Sequence, residues 1–215
     1  MAEASRIAAL NTPEDDPLTA AVRARAFLLL AGTGRPVPVS AVGTPEGWAP
    51  QDVRRALDGL LQAGRLTVAD DGDLTGSLGI TVQPTRHLMV LPQGERYSWC
   101  ALDALGIFGA LGVSGQIRSS TPRDEPVTVD IDSGSPRDYG ELVLLVPERK
   151  SGPVVQDWCP LVNFFADAPS AMHWADERGL AGMSIGVHEA SDLGTRVWTK
   201  ALAQAHRFGD WRNGE

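Results

Sequence analysis

A stretch in the middle of the chain, residues 96–105, predicts a strand that runs directly into a helix. Tyrosine and tryptophan alternate before Cys100 as side chains do at the end of a strand, and apolar residues then recur at helical spacing over 101–111. Asp103 follows Cys100 by three residues, so both side chains should lie on one face of the first helical turn. The sequence therefore places a thiol beside a carboxylate at a helix start.

A helix start favours the thiolate form of a cysteine, because its unpaired backbone N–H groups carry partial positive charge. We therefore expect Cys100 to act as a nucleophile or as a ligand for a soft metal, with Asp103 near enough to move its proton. The alternative is that Cys100 is only a core residue, since free cysteine is often buried and behaves as a small hydrophobe. Asp103 favours the functional interpretation, because a carboxylate among apolar neighbours needs a reason to be buried.

The only other cysteine, Cys159, also follows a tryptophan in an apolar segment. Two cysteines without a tight Cys/His cluster argue against a structural zinc site. A nucleophilic triad of either cysteine with His188 stays open, because such partners meet only in space. Two thiolates with one carboxylate better suit a thiophilic ion, since thiolates select soft metals and an acid can carry the proton that a thiol loses.

Charge and hydropathy narrow the class of protein. The chain has 27 acidic and 19 basic residues and a net charge of −8, which argues against a general nucleic-acid binder. No apolar run approaches the roughly 18 residues that suggest a membrane span, and the acidic N-terminus lacks the apolar core of a signal peptide. We therefore expect a cytoplasmic protein, in which cysteines are more often reactive or metal-binding than paired in a disulfide.

The first part of the chain predicts a flexible acidic N-terminus over 1–17 and a winged-helix-like module over 18–81. Hydrophobic periodicity and turn residues predict, in this order, a helix, a short helix, a second long helix and a β-hairpin. The predicted elements are helices over 18–31, 36–43 and 49–61 and strands over 66–68 and 75–81.

A winged helix-turn-helix would place the second helix of its helix-turn-helix, here the one predicted over 49–61, in a DNA groove. The exposed face of that helix offers Gln51, Arg54 and Arg55 as contacts, opposed by Asp52 and Asp58. The turn of the hairpin is acidic as well. Phosphate contacts need a clear basic surface, so the pattern favours a packing or covering role for this module.

The rest of the chain predicts a mainly antiparallel sheet core flanked by helices over 82–205, followed by a polar tail over 206–215. The fold class is therefore α+β. We expect His87 to be an ordinary strand residue and not a ligand. The predicted strands cover 82–91, 97–99, 115–120, 127–131, 141–146 and 182–187, and the predicted helices cover 101–111, 168–175 and 193–205.

Several of these segments together resemble the organomercurial lyases, or alkylmercury lyases. The resemblance covers roughly residues 34–202 and is densest around the two cysteines. It is carried by Arg-Tyr-Ser-Trp-Cys-Ala-Leu-Asp at 96–103, Ile-Arg-Ser-Ser at 117–120, Cys159 with Phe164-Phe165, Ala175, and Gly182 with Val-His-Glu-Ala at 187–190.

The resemblance implies an enzyme that splits a carbon–mercury bond by protonolysis, giving a hydrocarbon and Hg(II). Cys100 and Cys159 would hold mercury as thiolates, and Asp103 would lie at the metal and pass a proton to the leaving carbon. No cofactor would be needed. The Hg(II) would leave to small cytosolic thiols or to a mercuric reductase, with no membrane partner.

The chain also departs from the family pattern. Some relatives carry a further cysteine after the second catalytic one and a histidine before the Phe-Phe pair, where this chain has Pro160 and Asn163. An additional cysteine after the Ser-Ser pair is replaced by Thr121-Pro122. None of these positions belongs to the catalytic set, so the departures bear on substrate range, rate and product release.

A second hypothesis is a non-catalytic metal-binding or metal-sensing protein that uses the same two thiolates and the helical module for DNA. Asp103 discriminates between the two hypotheses, because a binder has no need of the acid.

Overall fold

The computed structural model of the protein describes residues 16–44, 47–148 and 152–204. Most of the predicted N-terminal segment and the predicted polar tail lie outside these ranges. The described chain has the predicted α+β class: an eight-stranded and a three-stranded sheet, both antiparallel, with helices packed against them. Among the described residues, no helix combines the length and apolar character that crossing a membrane requires.

The first helices lie where hydrophobic periodicity predicts them. Helix α1, Pro17–Thr33, is capped by Asp16, whose carboxylate accepts hydrogen bonds from the backbone N–H groups of the first turn. Gly34, in the left-handed conformation, is its C-cap. A 3₁₀ turn, Val39–Val42, leads to helix α2, Pro50–Gln62. The apolar faces of α1 and α2 pack on each other in a small core of their own.

The large sheet runs in the order β1-β2-β3-β5-β4-β6-β7-β8, so the hairpin of the first module continues into the main sheet. Its strands are β1 Leu66–Val68, β2 Leu74–Ser77, β3 Ile80–Thr81, β4 His87–Leu91, β5 Gly94–Ser98, β6 Gly115–Ser120, β7 Pro126–Asp132 and β8 Ser135–Pro136.

Three strand predictions in this sheet are wrong in extent. The strand expected over 97–99 begins at Gly94, because the turn after β4 is shorter than predicted. The strand expected over 75–81 is two strands, because the backbone turns at Leu78 and Gly79, which have φ values of +47° and +82°. The strand expected over 82–91 begins only at His87. Pro84 lacks the N–H that a strand residue donates to its neighbour, and the chain crosses from β3 to β4 there as a loop. Strand β8 has no counterpart among the predictions.

The small sheet runs in the order β10-β9-β11, with β9 Val143–Pro147, β10 Phe164–Phe165 and β11 Gly182–Gly186. Helix α3, Ala101–Leu111, follows β5 as predicted. The later helices are α4 Val154–Asp157, a 3₁₀ turn Cys159–Leu161, α5 Ala168–Asp176 and α6 Val187–Leu202.

Helix α6 begins six residues earlier than the predicted start at 193. Strand β11 ends at Gly186, and the helix starts at once with Glu189 in its first turn, where a negative charge is favourable. Helices α3 and α6 cross at two glycines. A methyl group built on Gly194 would lie 2.7 Å from the Cα atom of Gly106, so the two backbones nearly touch. This crossing holds α3 against the core.

Arg96 joins the first module to the strand that leads into α3. Its side chain is buried, with 7% exposed, and its guanidinium donates hydrogen bonds to the carbonyl oxygens of Ala31 (2.9 Å), Gly32 (3.3 Å) and Glu95 (2.7 Å). The last carbonyl groups of a helix have no partner within the helix. Arg96, on strand β5, therefore donates hydrogen bonds to carbonyl groups in the last turn of α1 that have no partner within the helix.

Replacing Arg96 tests this connection. We expect Arg96→Met to lower the free energy of unfolding by about 2 kcal/mol, because it removes three hydrogen bonds that a charged donor makes to partly buried carbonyl groups. Arg118→Met on the adjacent part of the sheet, where the side chain is 57% exposed, should cost about 0.5 kcal/mol or less. Urea unfolding measures both values, and equal losses would contradict the assignment.

Candidate functional site

Cys100 occupies the junction between β5 and α3, as predicted. It is the N-cap residue of α3, and its Sγ accepts a hydrogen bond from the backbone N–H of Asp103 at 3.4 Å. The hydroxyl of Ser98 donates to the Cys100 carbonyl oxygen at 2.9 Å and fixes the backbone before the turn. The thiol and the carboxyl group of Asp103 therefore share the first turn of the helix.

Cys159 reaches the same place from a distant part of the chain. It lies in the 3₁₀ turn after α4, and the backbone N–H of Ala101 donates to the Val162 carbonyl oxygen at 3.1 Å, which ties the two segments together. Its Sγ lies 4.0 Å from Oδ2 of Asp103. One ligand atom from each of Cys100, Asp103 and Cys159 falls within 4.8 Å of the others.

The structure thus brings together the three residues that the sequence analysis selects. All three are buried, with exposed fractions of 0% for Cys100, 5% for Asp103 and 3% for Cys159. His188 is exposed on α6 and does not belong to this cluster, so the structure gives no support to the Cys-His triad that the sequence left open. Two sulfur atoms and one carboxylate in an apolar enclosure suit a soft cation.

His87 is a satisfied strand residue, as predicted. Its side chain is buried, and its Nδ1 shares a hydrogen bond with the Ser119 hydroxyl at 2.7 Å. Burial, together with the charge of Arg86, lowers the pKa of His87 to about 3. The imidazole is therefore neutral at physiological pH.

The expectation that Cys100 has thiolate character is wrong for the free protein. Burial raises the pKa of the Cys100 thiol well above its ordinary value, and the neighbouring Cys159 and Asp103 raise it further. Loss of solvation outweighs the favourable field of the helix start. The resting Cys100 is therefore protonated, and it needs a proton acceptor when it binds a metal.

Asp103 has the properties of such an acceptor. Burial raises the pKa of its carboxyl group to about 6, while the Cys100 hydrogen bonds and the charge of Arg23 act in the opposite direction. A carboxyl group that titrates near neutral pH can take up a proton and give it back at similar cost. The group is ionised at pH 7 and ready to receive a proton.

Sequence reasoning missed the backbone that packs against this carboxyl group. A methyl group built on Gly79, in the turn between β2 and β3, would lie 2.5 Å from Oδ1 of Asp103. Glycines at 76 and 79 inside one predicted strand are the signal that could have indicated a close backbone approach.

Two positions that depart from the family pattern have structural roles. The buried Asn163 side chain donates to the Pro160 carbonyl oxygen at 2.8 Å and so closes the turn that carries Cys159. The buried Thr121 hydroxyl accepts from the backbone N–H groups of Arg123 and Glu125 and organises the loop after β6. Neither residue belongs to the three-residue cluster.

Comparison with known proteins agrees on one family. The family model described as alkylmercury lyase matches residues 80–199. The chain is 32% identical to the alkylmercury lyase of Streptomyces lividans over 183 residues, covering 83% of this chain and 82% of that protein. It is 28% identical to the alkylmercury lyase of Pseudomonas putida over 178 residues, covering 81% and 82%.

A solved structure shares the fold. The crystal structure of the mercury-bound form of MerB2 matches with a TM-score of 0.78 and 21% identity, covering 90% of this chain and 94% of that one.

The buried carboxylate should destabilise the fold at neutral pH. The pKa of Asp103 is about 6 in the folded chain against an ordinary value of 3.8, so the penalty is full above pH 6 and disappears as the pH falls through about 4. We expect Asp103→Asn to raise the free energy of unfolding by about 3 kcal/mol at pH 7.5. The gain should shrink below about 1 kcal/mol at pH 4.

Urea unfolding at the two pH values measures this difference. Asp58→Asn, at an exposed position on α2, is the control and should change the free energy of unfolding by no more than about 0.5 kcal/mol. An equal gain for Asp103→Asn at both pH values would contradict the assignment.

Proposed function

The chain belongs to the alkylmercury lyase family, and from this we propose a reaction in which Cys100, Asp103 and Cys159 together break the carbon–mercury bond. The protein is an organomercurial lyase that releases a hydrocarbon and Hg(II). The observation that carries the residue assignment is the buried cluster of two thiols and one carboxyl group within 4.8 Å.

Mercury binding begins with exchange of ligands. One cysteine replaces the ligand that accompanies the organomercurial, and that ligand leaves with the thiol proton. The second cysteine then binds, and its proton passes to the Asp103 carboxylate, which is ionised at neutral pH. Because thiolates are soft donors, the two sulfur atoms place electron density on mercury and weaken its bond to carbon.

Cleavage follows by proton transfer from Asp103. The protonated carboxyl group gives its proton to the carbon, and the electron pair of the carbon–mercury bond becomes the new carbon–hydrogen bond. Asp103 returns to its ionised form. In total, two thiols and one organomercurial give one hydrocarbon, one protonated leaving ligand and Hg(II) held by two thiolates.

Release of Hg(II) needs competing thiols, because two buried thiolates hold it tightly. Small cytosolic thiols or the cysteines of a mercuric reductase have the matching chemistry. A cytoplasmic location would supply such reduced thiols and would keep Cys100 and Cys159 from forming a disulfide. We propose this location and these acceptors together.

The winged-helix-like module over 18–81 and the catalytic core over 82–205 are proposed as two parts of one packed unit. The strands of the first module continue into the main sheet, and Phe27 and Leu30 of α1 lie in the main hydrophobic core. On α2, the Arg55 guanidinium lies 3.0 Å from the Asp52 carboxylate, which offsets its charge toward phosphate. These observations support a structural role for the module.

The first measurement follows benzene release from phenylmercury in the presence of excess thiol. We expect Cys100→Ser, Cys159→Ser and Asp103→Ala each to lose activity. The Asp103→Ala loss should be about 100-fold or more, since positioned proton transfer contributes factors of that size. Asp58→Ala removes an exposed carboxylate from α2 and should keep the wild-type rate.

Mercury retention separates proton transfer from binding. Asp103→Ala should still hold Hg(II) through two thiolates after gel filtration with excess thiol, and each cysteine variant should not. Wild-type protein that retains mercury but releases no benzene would instead support the binding or sensing hypothesis.

A gel shift tests the proposed role of the module. We expect no salt-sensitive shift of duplex DNA by wild-type protein at low salt, because the chain has a net charge of −8 and Asp52 and Asp58 oppose the arginines of α2. A shift that the Arg54→Ala/Arg55→Ala double variant abolishes would contradict this proposal.

A further inference from the structure

We propose that the Leu78–Gly79 turn is a positioning element of the reaction, in which Gly79 sets the place of the Asp103 carboxyl group relative to the two sulfur atoms. The inference rests on the proposed role of Asp103. The turn lies just before the segment that the family model matches, residues 80–199. In space it lies beside Asp103.

Strand register brings the turn to the site. In the pairing of β3 with β5, Ile80 lies opposite Ser98, so the residue before Ile80 reaches the segment that follows Ser98. The backbone N–H of Trp99 donates to the Gly79 carbonyl oxygen at 2.8 Å. Gly79 is thus bonded to the residue that immediately precedes Cys100.

The space beside Asp103 admits only a glycine. A methyl group on Gly79 would lie 2.5 Å from Oδ1, 2.6 Å from Cγ and 2.7 Å from Cβ of Asp103. These distances are far inside the roughly 3.5–4.0 Å at which non-bonded heavy atoms make favourable contact. The backbone of Gly79 therefore forms a wall against one side of the carboxyl group, and Cys159 Sγ lies 4.0 Å from Oδ2.

The turn itself is held in place from two sides. The indole N–H of Trp198 on α6 donates to the Leu78 carbonyl oxygen at 2.7 Å in the buried interior. The Ser77 hydroxyl donates to the Arg23 carbonyl oxygen on α1 at 2.8 Å. Leu78 is buried with a φ of +47°, a conformation rare for a bulky residue, which the surrounding contacts impose.

A wall of this kind matters for proton transfer because the carboxyl group must reach both a thiol and the leaving carbon. Displacement of a catalytic group by about 1 Å can cost roughly 100-fold in rate. Without the wall, rotation of the Asp103 side chain would carry its oxygen atoms away from Cys159. A side chain at position 79 would displace the Asp103 carboxyl group from its position.

Gly79→Ala is the direct test, and Gly72→Ala is its matched control. Gly72 has a φ of +88°, close to that of Gly79, but a methyl group there would meet nothing within 4 Å. Both variants carry the same kind of backbone strain, and only Gly79→Ala crowds Asp103. We expect Gly79→Ala to lower kcat for phenylmercury cleavage about 100-fold with little change in KM.

Hg(II) retention shows whether the effect is positional. Gly79→Ala should keep stoichiometric Hg(II) through Cys100 and Cys159, because the three atoms nearest to the added methyl group all belong to Asp103. Gly72→Ala should keep both kcat and retention. A Gly79→Ala protein with the kcat of Gly72→Ala would overturn the proposal, as would loss of retention together with kcat.

Trp198→Phe provides a second variant in case Gly79→Ala does not fold. It removes the donor to Leu78 and adds no atoms near Asp103, so kcat should fall by a smaller factor while Hg(II) is retained. An unchanged kcat in Trp198→Phe would then overturn the proposal.

Asp103→Ala, assayed in parallel, tests the proposed role of Asp103 in cleavage. If Asp103→Ala cleaves like wild type, the proposed function of Asp103 fails, whereas an inactive Asp103→Ala beside an active Gly79→Ala rejects only the positioning role.

Discussion

Loss of solvation around three ionisable side chains is the constraint on which the rest of the structure depends. Cys100, Cys159 and Asp103 are together almost inaccessible to water, and this raises the pKa of the Cys100 thiol and of the carboxyl group. Helices α3 and α6, the two sheets and the first module pack around the cluster, and their packing offsets this loss of solvation. Because so little of the cluster is exposed to water, the neighbouring side chains are the groups with which each proton can be exchanged.

Local sequence predicted the part of the site that local geometry determines. Cys100 and Asp103 are three residues apart at a strand-to-helix junction, and their shared face follows from helical geometry alone. Cys159 joins them only through tertiary contacts, so its inclusion followed from the chemistry of two thiols with one acid and from the family resemblance, and not from spacing. The thiolate expectation failed because the helix start is visible in the sequence, whereas the depth of burial is set by distant segments.

The errors in the fold have similar causes. A turn at Leu78 was not predicted because leucine rarely adopts a left-handed conformation, and here contacts from α1 and α6 impose it. The start of α6 was missed because a strand passes into a helix without a polar loop between them. Both places lie at contacts between elements far apart in sequence, where local propensity is outweighed by packing.

The buried, protonated thiol has a consequence for the protein between turnovers. Oxidants and alkylating agents react with exposed thiolates, and a thiol that is neither exposed nor ionised reacts slowly with peroxide. Zinc and other borderline ions must also displace the Cys100 thiol proton before they can bind, and they gain less than a thiophilic ion does from two sulfur ligands. Burial of the Cys100 thiol is therefore expected to slow its oxidation and to favour a thiophilic ion over zinc at this site.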